Sequence, residues 1–416
     1  MTPRSTFLST LAERGFIHQC TDLAALDAHC GVGPVKAYIG FDATADSLHA
    51  GHLLQIMTLR WLQRTGHKPI VLIGGGTTLV GDPSFRDTSR PFLAEAEIAR
   101  NKAALQRTLS RFLVFGDGPT DAVMVDNAEW LDPLRFLAFL REFGPHFTVN
   151  RMLTFDSVRQ RLDREQPLTL LEFNYMVLQA FDFLELARSR SCLLQMGGSD
   201  QWGNILNGIE LARRVEQRQL FGLTTPLLST AGGMKMGKTA GGAVWLDRER
   251  LSPYEFWQCW RNTDDTDVPR FLRLFTELPM PEVARLAALQ GEEINGAKRT
   301  LADEVTALVH GREAAQDAAE TARRTFEEGL AADGLPTVDM HQAVLKTGVP
   351  VAQLLVMTGL ATSKGEARRL IRGGGARLND VGVIDEEALA TAADLTGGVL
   401  TLAAGRKRHA LVRAIG

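Results

Sequence analysis

Residues 35–75, VKAYIGFDATADSLHAGHLLQIMTLRWLQRTGHKPIVLIGG, decide the fold. The apolar runs at 35–41 and 69–75 read as buried strands, and the stretch between them, GHLLQIMTLRWLQRTG, has helical period. Strand, helix and strand in succession predict a parallel pair joined by a right-handed crossover. The alternation continues outward: 94–113 reads as a helix, AVMVDN (122–127) as a third strand and SCLLQMGG (191–198) as a fourth. The expectation is an α/β, Rossmann-like parallel-sheet domain over 1–225. Ligands of such sheets bind beyond the carboxyl ends of the strands. The polar clusters at 38–52, 74–90 and 197–201 each follow a strand candidate, so they should gather on one edge.

Beyond this core the pattern changes. Residues 226–330 turn helical, 331–340 (AADGLPTVDM) resemble a linker, and 341–416 form a small α+β segment. The chain of 416 residues is 45% hydrophobic and 23% charged, an ordinary composition for a globular protein with a sizeable core. Its net charge of −3 is uneven, because 341–416 hold ten Lys and Arg against six Asp and Glu. An acidic body with a basic tail points to a polyanion partner for the tail. Cys20, Cys30, Cys192 and Cys259 are scattered without a CxxC pair, which argues against a disulfide framework or a Cys-rich zinc site and for a reducing compartment. No apolar run reaches the length of a membrane span, and no signal-peptide core opens the chain. A cytoplasmic protein is expected, with no membrane association.

His49 and His52 stand three apart at the mouth of a helix. A helix N-terminus suits phosphate, and neutral imidazoles there can donate hydrogen bonds; the alternative is two ordinary polar residues in a first turn. GGMKMGKTAGG (232–242) sets Lys235 and Lys238 among glycines, which makes it a loop carrying two ammonium groups or a plain solvated turn. GGGTTLVGDPSFRDTSR (74–90) again joins glycines to cations, Arg86 and Arg90. Three such clusters together favour a nucleoside triphosphate whose cations come from loops, a geometry suited to attack on the α-phosphorus. Tyr175, Gln179 and Asp182 form one polar stripe on an otherwise apolar helix, EFNYMVLQAFDFLEL (172–186), facing either solvent or a pocket. Its lack of Lys, Arg or Glu favours the pocket.

Taken in order, YIGFDATADSLHAGHL, GDPSFRDTSR, EFNYMVLQAFDF, GGSDQWGN and KMGKT resemble bacterial-type tyrosyl-tRNA synthetase, a class I aminoacyl-tRNA synthetase. HAGH looks like the HIGH signature of that family and KMGKT like its KMSKS loop. The resemblance implies that Tyr38 and Asp182 bind the tyrosine hydroxyl. It places the ammonium group with Asp82, Tyr175 and Gln179, with Gln195 nearby. Thr44, His49 and His52 would contact the phosphates, with Gly51 at the ATP site. Lys235, Lys238, Arg86 and Arg90 would grip pyrophosphate, while Asp42, Asp200 and Gln201 position substrate and ribose. It further implies ATP as substrate with Mg2+, no tightly bound cofactor, no protein-held metal, L-tyrosine and tRNA(Tyr) as partners, and a homodimer. Residues 226–330 would then hold the KMSKS-type loop and an α-helical anticodon-binding domain. Ala50, Phe181, Gly237 and Thr239 depart from the family's usual residues, and of these only Gly237 removes a donor group relied on here, a Ser hydroxyl.

In the tail, Lys364, Arg368 and Arg372 share one face of a helix, and Arg406, Lys407 and Arg408 form a second basic cluster. This face is either solvated or RNA-binding. The segment resembles the alpha-L RNA-binding motif, which implies contacts with RNA phosphates. Tryptophanyl-tRNA synthetase shares the fold and signatures, but the Tyr38/Asp182 pairing and the basic tail favour tyrosine. Two other readings are a different nucleotidyltransferase with an HxGH element and a non-enzymatic RNA-binding protein. The tail and GGSDQWGN speak against the first, and the retained cationic contacts against the second.

Overall fold

The computed structural model describes residues 2–84, 90, 92–231, 233, 237–239, 242–327, 335–405 and 408–415. Its contacts divide the chain into two compact units, Met1–Arg250 with Asn262–Leu301, and Leu251–Arg261 with Ala302–Gly416.

The first unit is built on a six-stranded sheet. Its strands are β1 (Gln19–Cys20), β2 (Lys36–Asp42), β3 (Lys68–Gly74), β4 (Val123–Asp126), β5 (Leu194–Gly198) and β6 (Phe221–Thr225), in the spatial order β1-β6-β5-β2-β3-β4. Every pairing is parallel except β1 with β6. The chain runs from β2 outward through β3 to β4, then returns to lay β5 and β6 on the other side of β2. The topological switch point therefore lies between β2 and β5, where open α/β sheets bind their ligands. The strand candidates of the sequence appear here within a few residues. Strand β6, FGLTT, is an addition: it is short, carries a glycine and is buried throughout, so it shows no alternation to read.

Helices cover the sheet in the order α1 (Thr6–Arg14), α2 (Leu23–Val32), α3 (Ala50–Arg64), α4 (Glu95–Leu109), α5 (Ala128–Leu131), α6 (Phe136–Phe143), α7 (Val149–Met152), α8 (Asp156–Asp163), α9 (Leu170–Arg190) and α10 (Trp202–Glu216). Helix α3 follows β2 through a polar turn and buries Leu53, Ile56, Met57, Leu59 and Leu62. Helix α9 starts at a capping box in which Thr169 and Glu172 satisfy each other's backbone N–H groups. Its apolar residues Ala180, Phe181, Phe183 and Leu184 pack with Tyr38, Ile70, Leu72 and Val125 of the sheet. This packing turns the polar stripe of α9 towards the carboxyl edge. Two further strands, β7 (Lys238–Thr239) and β8 (Gly242–Ala243), form a small hairpin after the sheet.

Downstream come α11 (Pro253–Arg261), α12 (Val268–Phe275), α13 (Met280–Ala287), α14 (Ile294–His310) and α15 (Arg312–Glu327). Gly311, at φ +95°, separates α14 from α15. Within the second unit α11 and α15 pack together, and the Trp257 indole N–H donates to Asp303 at 2.7 Å. The tail is a five-stranded sheet, β12-β11-β14-β15-β9, with β9 (Thr337–His341) parallel to β15 (Arg408–Ile415). Strands β11 (Ala376–Leu378), β12 (Val381–Val383) and β14 (Val399–Ala404) complete it, and β10 (Val349–Pro350) pairs separately with β13 (Leu389–Ala390). Helices α16 (Gln342–Lys346), α17 (Val351–Met357) and α18 (Lys364–Arg372) share an apolar core with these strands. Residues 337–340, assigned by sequence to the linker, are strand β9. Its hydrogen bonds come from β15, far along the chain, so local composition conceals it. Residues 331–334 of that linker lie outside the described residues.

One buried cation ties the N-terminal helix to the end of α12. The Arg14 guanidinium donates to the carbonyls of Arg273, Thr276 and Leu278 at 3.1, 2.9 and 2.6 Å and stacks 4.3 Å above the Trp61 ring of α3. Replacing it with an apolar chain strands these carbonyls. Arg14→Met is expected to lower stability by about 3 kcal/mol in urea denaturation. A loss within experimental error would show that the carbonyls find other donors.

Candidate active site

One pocket of 360 Å³ lies at the carboxyl edge of the sheet, beside the switch point. Strand β2 supplies Tyr38 and Asp42, the following turn Thr44, and the start of α3 His49, Gly51 and His52. The segment after β3 brings Thr77, Asp82 and Arg90, α9 brings Tyr175, Gln179 and Asp182, and β5 with its following turn brings Gln195, Asp200 and Gln201. Apart from Thr77, these are residues read from the sequence, and they come together here. Arg86 and Lys235 lie outside the described residues, as does the side chain of Lys238, whose backbone belongs to β7.

Two glycines let the walls close. A Cβ on Gly74 would lie 2.2 Å from Asp42 Oδ1, and one on Gly75 would lie 2.1 Å from Asp126 Oδ1. No side chain fits there, so glycine is required for the backbone to approach these carboxylates.

At the base sits Asp182, 1% exposed. Asn127 Nδ2 donates to its Oδ2 at 3.0 Å and Trp130 Nε1 to its Oδ1 at 2.7 Å. Burial pushes its carboxyl up to about 7 despite these two donors. Nearby, the Tyr38 hydroxyl and the Gln195 amide oxygen are buried without a hydrogen-bond partner among the described residues. Burial, together with the Asp182 charge, holds the Tyr38 phenol well above its usual range and so protonated. Buried polar atoms are nearly always partnered, so these two mark where a ligand's polar groups belong.

Further up, Asp42 accepts from Thr77 Oγ1 at 2.9 Å and from the Tyr175 hydroxyl at 3.0 Å. Burial raises its carboxyl to about 6, with the Asp82 charge adding to the shift. A second chain of bonds runs from Gln179 Oε1, which accepts from Asn204 Nδ2 at 2.9 Å. Asn204 Nδ2 donates also to Gln201 Oε1 at 3.1 Å, and Gln201 Nε2 donates to Asp82 Oδ2 at 2.8 Å. Three carboxylates therefore gather around one small volume, a field suited to an ammonium group.

The histidines are themselves the cap of α3. His49 is the N-cap residue; its Nδ1 accepts from the Gly51 N–H at 3.0 Å, and His52 Nδ1 accepts from the His49 N–H at 3.2 Å. A nitrogen that accepts carries no proton, so each neutral ring holds its proton on Nε2. Burial and the neighbouring His49 depress His52 to about 3, which keeps that ring neutral at physiological pH.

Asn127, Trp130, Thr77 and Asn204 were not among the residues read from the sequence. Asn127 ends the third strand, so the rule that sites collect at strand carboxyl ends could have found it. Asn204 closes the GGSDQWGN block, which marked the segment but not this residue's bonds; Trp130 carries no such signal, because its partner comes from a distant segment. In the tail, Lys364, Arg368 and Arg372 lie exposed on α18, and Arg408 is exposed at the start of β15. Arg368 and Arg372 pair with Glu387 and Glu386 at 3.5 and 2.7 Å. Arg406 and Lys407 lie outside the described residues.

Comparison with known proteins shows the family. Residues 32–327 match the family described as tRNA synthetases class I (W and Y). The chain is 62% identical over 413 residues to a tyrosine–tRNA ligase of Rhodospirillum rubrum, covering 99% of both chains. It is 61% identical over 415 residues to one of Xanthobacter autotrophicus, covering 100% of this chain and 99% of the other. Among solved structures, a C-terminally truncated mitochondrial tyrosyl-tRNA synthetase of Aspergillus nidulans aligns with a TM-score of 0.70 at 30% identity, over 78% of this chain and 95% of the other. The chain belongs to the class I tRNA synthetases of the tryptophan and tyrosine group, among their bacterial tyrosine–tRNA ligases.

Proposed function

We infer that this chain is a tyrosine–tRNA ligase, which joins L-tyrosine to ATP as tyrosyl-adenylate and then transfers tyrosine to the 3′-terminal adenosine of tRNA(Tyr). The observation that carries the reading is the pocket base, where a Tyr38 hydroxyl without a partner among the described residues and a buried, doubly bonded Asp182 await a phenol. Tyrosine enters with its hydroxyl towards Tyr38 and Asp182. Its ammonium group meets Asp82, Tyr175 and Gln179, with Gln195 alongside. The amino acid carboxylate then attacks the α-phosphorus of ATP; a new P–O bond forms as the bond to pyrophosphate breaks. Thr44 and the Nε2–H groups of His49 and His52 stabilise the charge that grows on the phosphoryl oxygens. Arg86, Arg90, Lys235 and Lys238 receive pyrophosphate, while Asp42, Gly51, Asp200 and Gln201 hold ribose and nucleotide. ATP arrives as its magnesium complex, the ion riding on the triphosphate. Among the described residues no group of three His, Cys, Asp or Glu could hold a metal.

Selectivity against phenylalanine follows from the desolvated polar base, since phenylalanine leaves those groups unpaired. Tyrosyl-tRNA synthetase is itself the stock illustration of that effect. Amino-acid-dependent ATP–pyrophosphate exchange should respond to tyrosine alone among the twenty amino acids; exchange driven by tryptophan overturns the reading. Asp182, raised to about 7, is ionised above that pH and protonated below it. The tyrosine-to-phenylalanine ratio of kcat/KM should therefore fall about tenfold between pH 8 and pH 6. Asp182→Ala should abolish that pH dependence, and Tyr38→Phe should narrow the ratio. A flat wild-type profile removes Asp182 from the role.

The helical segment within 226–330 serves as the anticodon-binding domain and 341–416 as an RNA-binding domain, with Lys364, Arg368, Arg372 and Arg406–Arg408 facing tRNA phosphates. Deleting 341–416 should spare pyrophosphate exchange yet reduce tRNA charging. Equal loss of both activities would refute this division. The working assembly is a cytoplasmic homodimer. The segment from α6 to the start of α9 supports this by exposing Phe136, Leu137, Val149 and Leu170, at 72, 78, 58 and 76%. Exposed apolar area of this kind marks an interface. Leu137→Asp is expected to halve the mass seen by sedimentation velocity; a wild-type chain that sediments as a monomer rules the dimer out. No described helix is long and apolar enough to cross a membrane.

A further inference from the structure

The stem of the lysine hairpin is stitched to the histidine cap. Residues 244–246 run antiparallel to residues 48–50: the Ala50 N–H donates to the Val244 carbonyl at 2.8 Å and the Leu246 N–H to the Leu48 carbonyl at 2.9 Å. His49 and Trp245 face each other across this bridge. The Val244 N–H also donates to the Gly237 carbonyl at 2.9 Å, which closes β7 and β8 directly onto the same stem. Side chains repeat the link. The Trp245 indole meets the His49 ring edge-on, with centres 6.2 Å apart. Arg250 lies 4.7 Å over the indole and pairs with Asp46 Oδ1 at 2.5 Å, in the turn that leads to His49.

We propose that Trp245 is a positioning residue that fixes the His49 imidazole for adenylate formation. As an N-cap residue His49 has extended backbone, φ −122° and ψ 169°, so the helix does not constrain its ring as it would an interior side chain. The bond from the Gly51 N–H to Nδ1 sets the tautomer, and a bond at that one atom does not by itself fix the tilt of the ring plane. The His52 ring, 4.0 Å away, bounds that tilt from one direction, and the indole bounds it from another. Arg250 keeps the indole from swinging by stacking on it while tied to Asp46. Catalytic groups need their geometry held to a fraction of an ångström, and such support comes from packed neighbours. Trp245 also begins the return from the hairpin bearing Lys238. The aim of His49 and the anchorage of the hairpin thus share one residue.

The proposal rests on the reading of His49 as a phosphate ligand, and a double-mutant cycle separates the two. Trp245→Leu and Trp245→Phe are made with His49 intact and with His49→Gln, and ATP–pyrophosphate exchange is measured. With His49 present, Trp245→Leu should lower kcat about tenfold while the KM for tyrosine stays within about twofold; Trp245→Phe, which keeps an aromatic edge, should lose about threefold. In the His49→Gln background both substitutions should change kcat by less than about twofold. If His49→Gln lowers activity but Trp245→Leu acts equally in both backgrounds, Trp245 supports the fold alone and the proposal fails. If His49→Gln has no effect, the reading of His49 fails first. Should Trp245→Leu not fold, the same cycle with Trp245→Phe decides.

Discussion

A fully buried asparagine amide holds the pocket together. Asn127, with no solvent exposure, donates to Asp182 and to Thr77 Oγ1 from one end, and from the other accepts the Gly76 N–H at 2.8 Å. Thr77 passes the connection on to Asp42. One side chain thereby links the end of β4, the turn after β3, the end of β2 and the middle of α9. None of these groups could be buried alone, because an unpaired amide or carboxylate away from water is costly. Satisfied together, they fix four segments at the same corner of the sheet. The closeness forces glycine at 74 and 75 and puts the Asp182 carboxylate beside the Tyr38 hydroxyl, which has no partner among the described residues.

This arrangement gives the two ends of the pocket different electrostatics. One part of the pocket gathers Asp42, Asp82 and Asp182, with the carboxyls of Asp42 and Asp182 raised to about 6 and about 7. Asp42 and Asp182 remain partly protonated near neutrality until a cation enters, and a bound ammonium group would draw them back to the ionised form. At the mouth of α3 both imidazoles accept main-chain N–H groups through Nδ1, burial keeps His52 neutral, and the one described cation lining the pocket is Arg90. A rigid, densely charged phosphate cradle so near three carboxylates would be neutralised by them. Cations on separate loops avoid that standing attraction.

Most of this was legible where residues act locally. The strand-helix-strand period at 35–75 placed the sheet, and the stripe Tyr175–Gln179–Asp182 faces the pocket because α9 buries its other faces in the core. What sequence could not show depends on partners remote in the chain. Trp130 reaches Asp182 across 52 positions, and Asn204 reaches Gln179 across 25. Strand β9 exists only because β15 pairs with it. The bridge between 48–50 and 244–246 joins two recognisable motifs, yet neither motif announces the other as its hydrogen-bond partner.

The cap of α3 changes how a helix terminus meets an anion. The usual site presents bare main-chain N–H groups to phosphate. Here the N–H groups of His49 and Gly51 are already taken by imidazole Nδ1 atoms, and the His52 N–H bonds the His49 carbonyl at 2.8 Å. The first turn therefore offers its hydrogen bonds one ring further out, through Nε2–H. A main-chain donor is fixed by the helix, whereas a ring-borne donor is only as well placed as the groups packed around it. On the proposed reading of His49 and His52 as phosphate ligands, such donors gain reach towards a phosphorus that changes geometry during reaction, and in exchange they depend on neighbours such as the indole across the bridge.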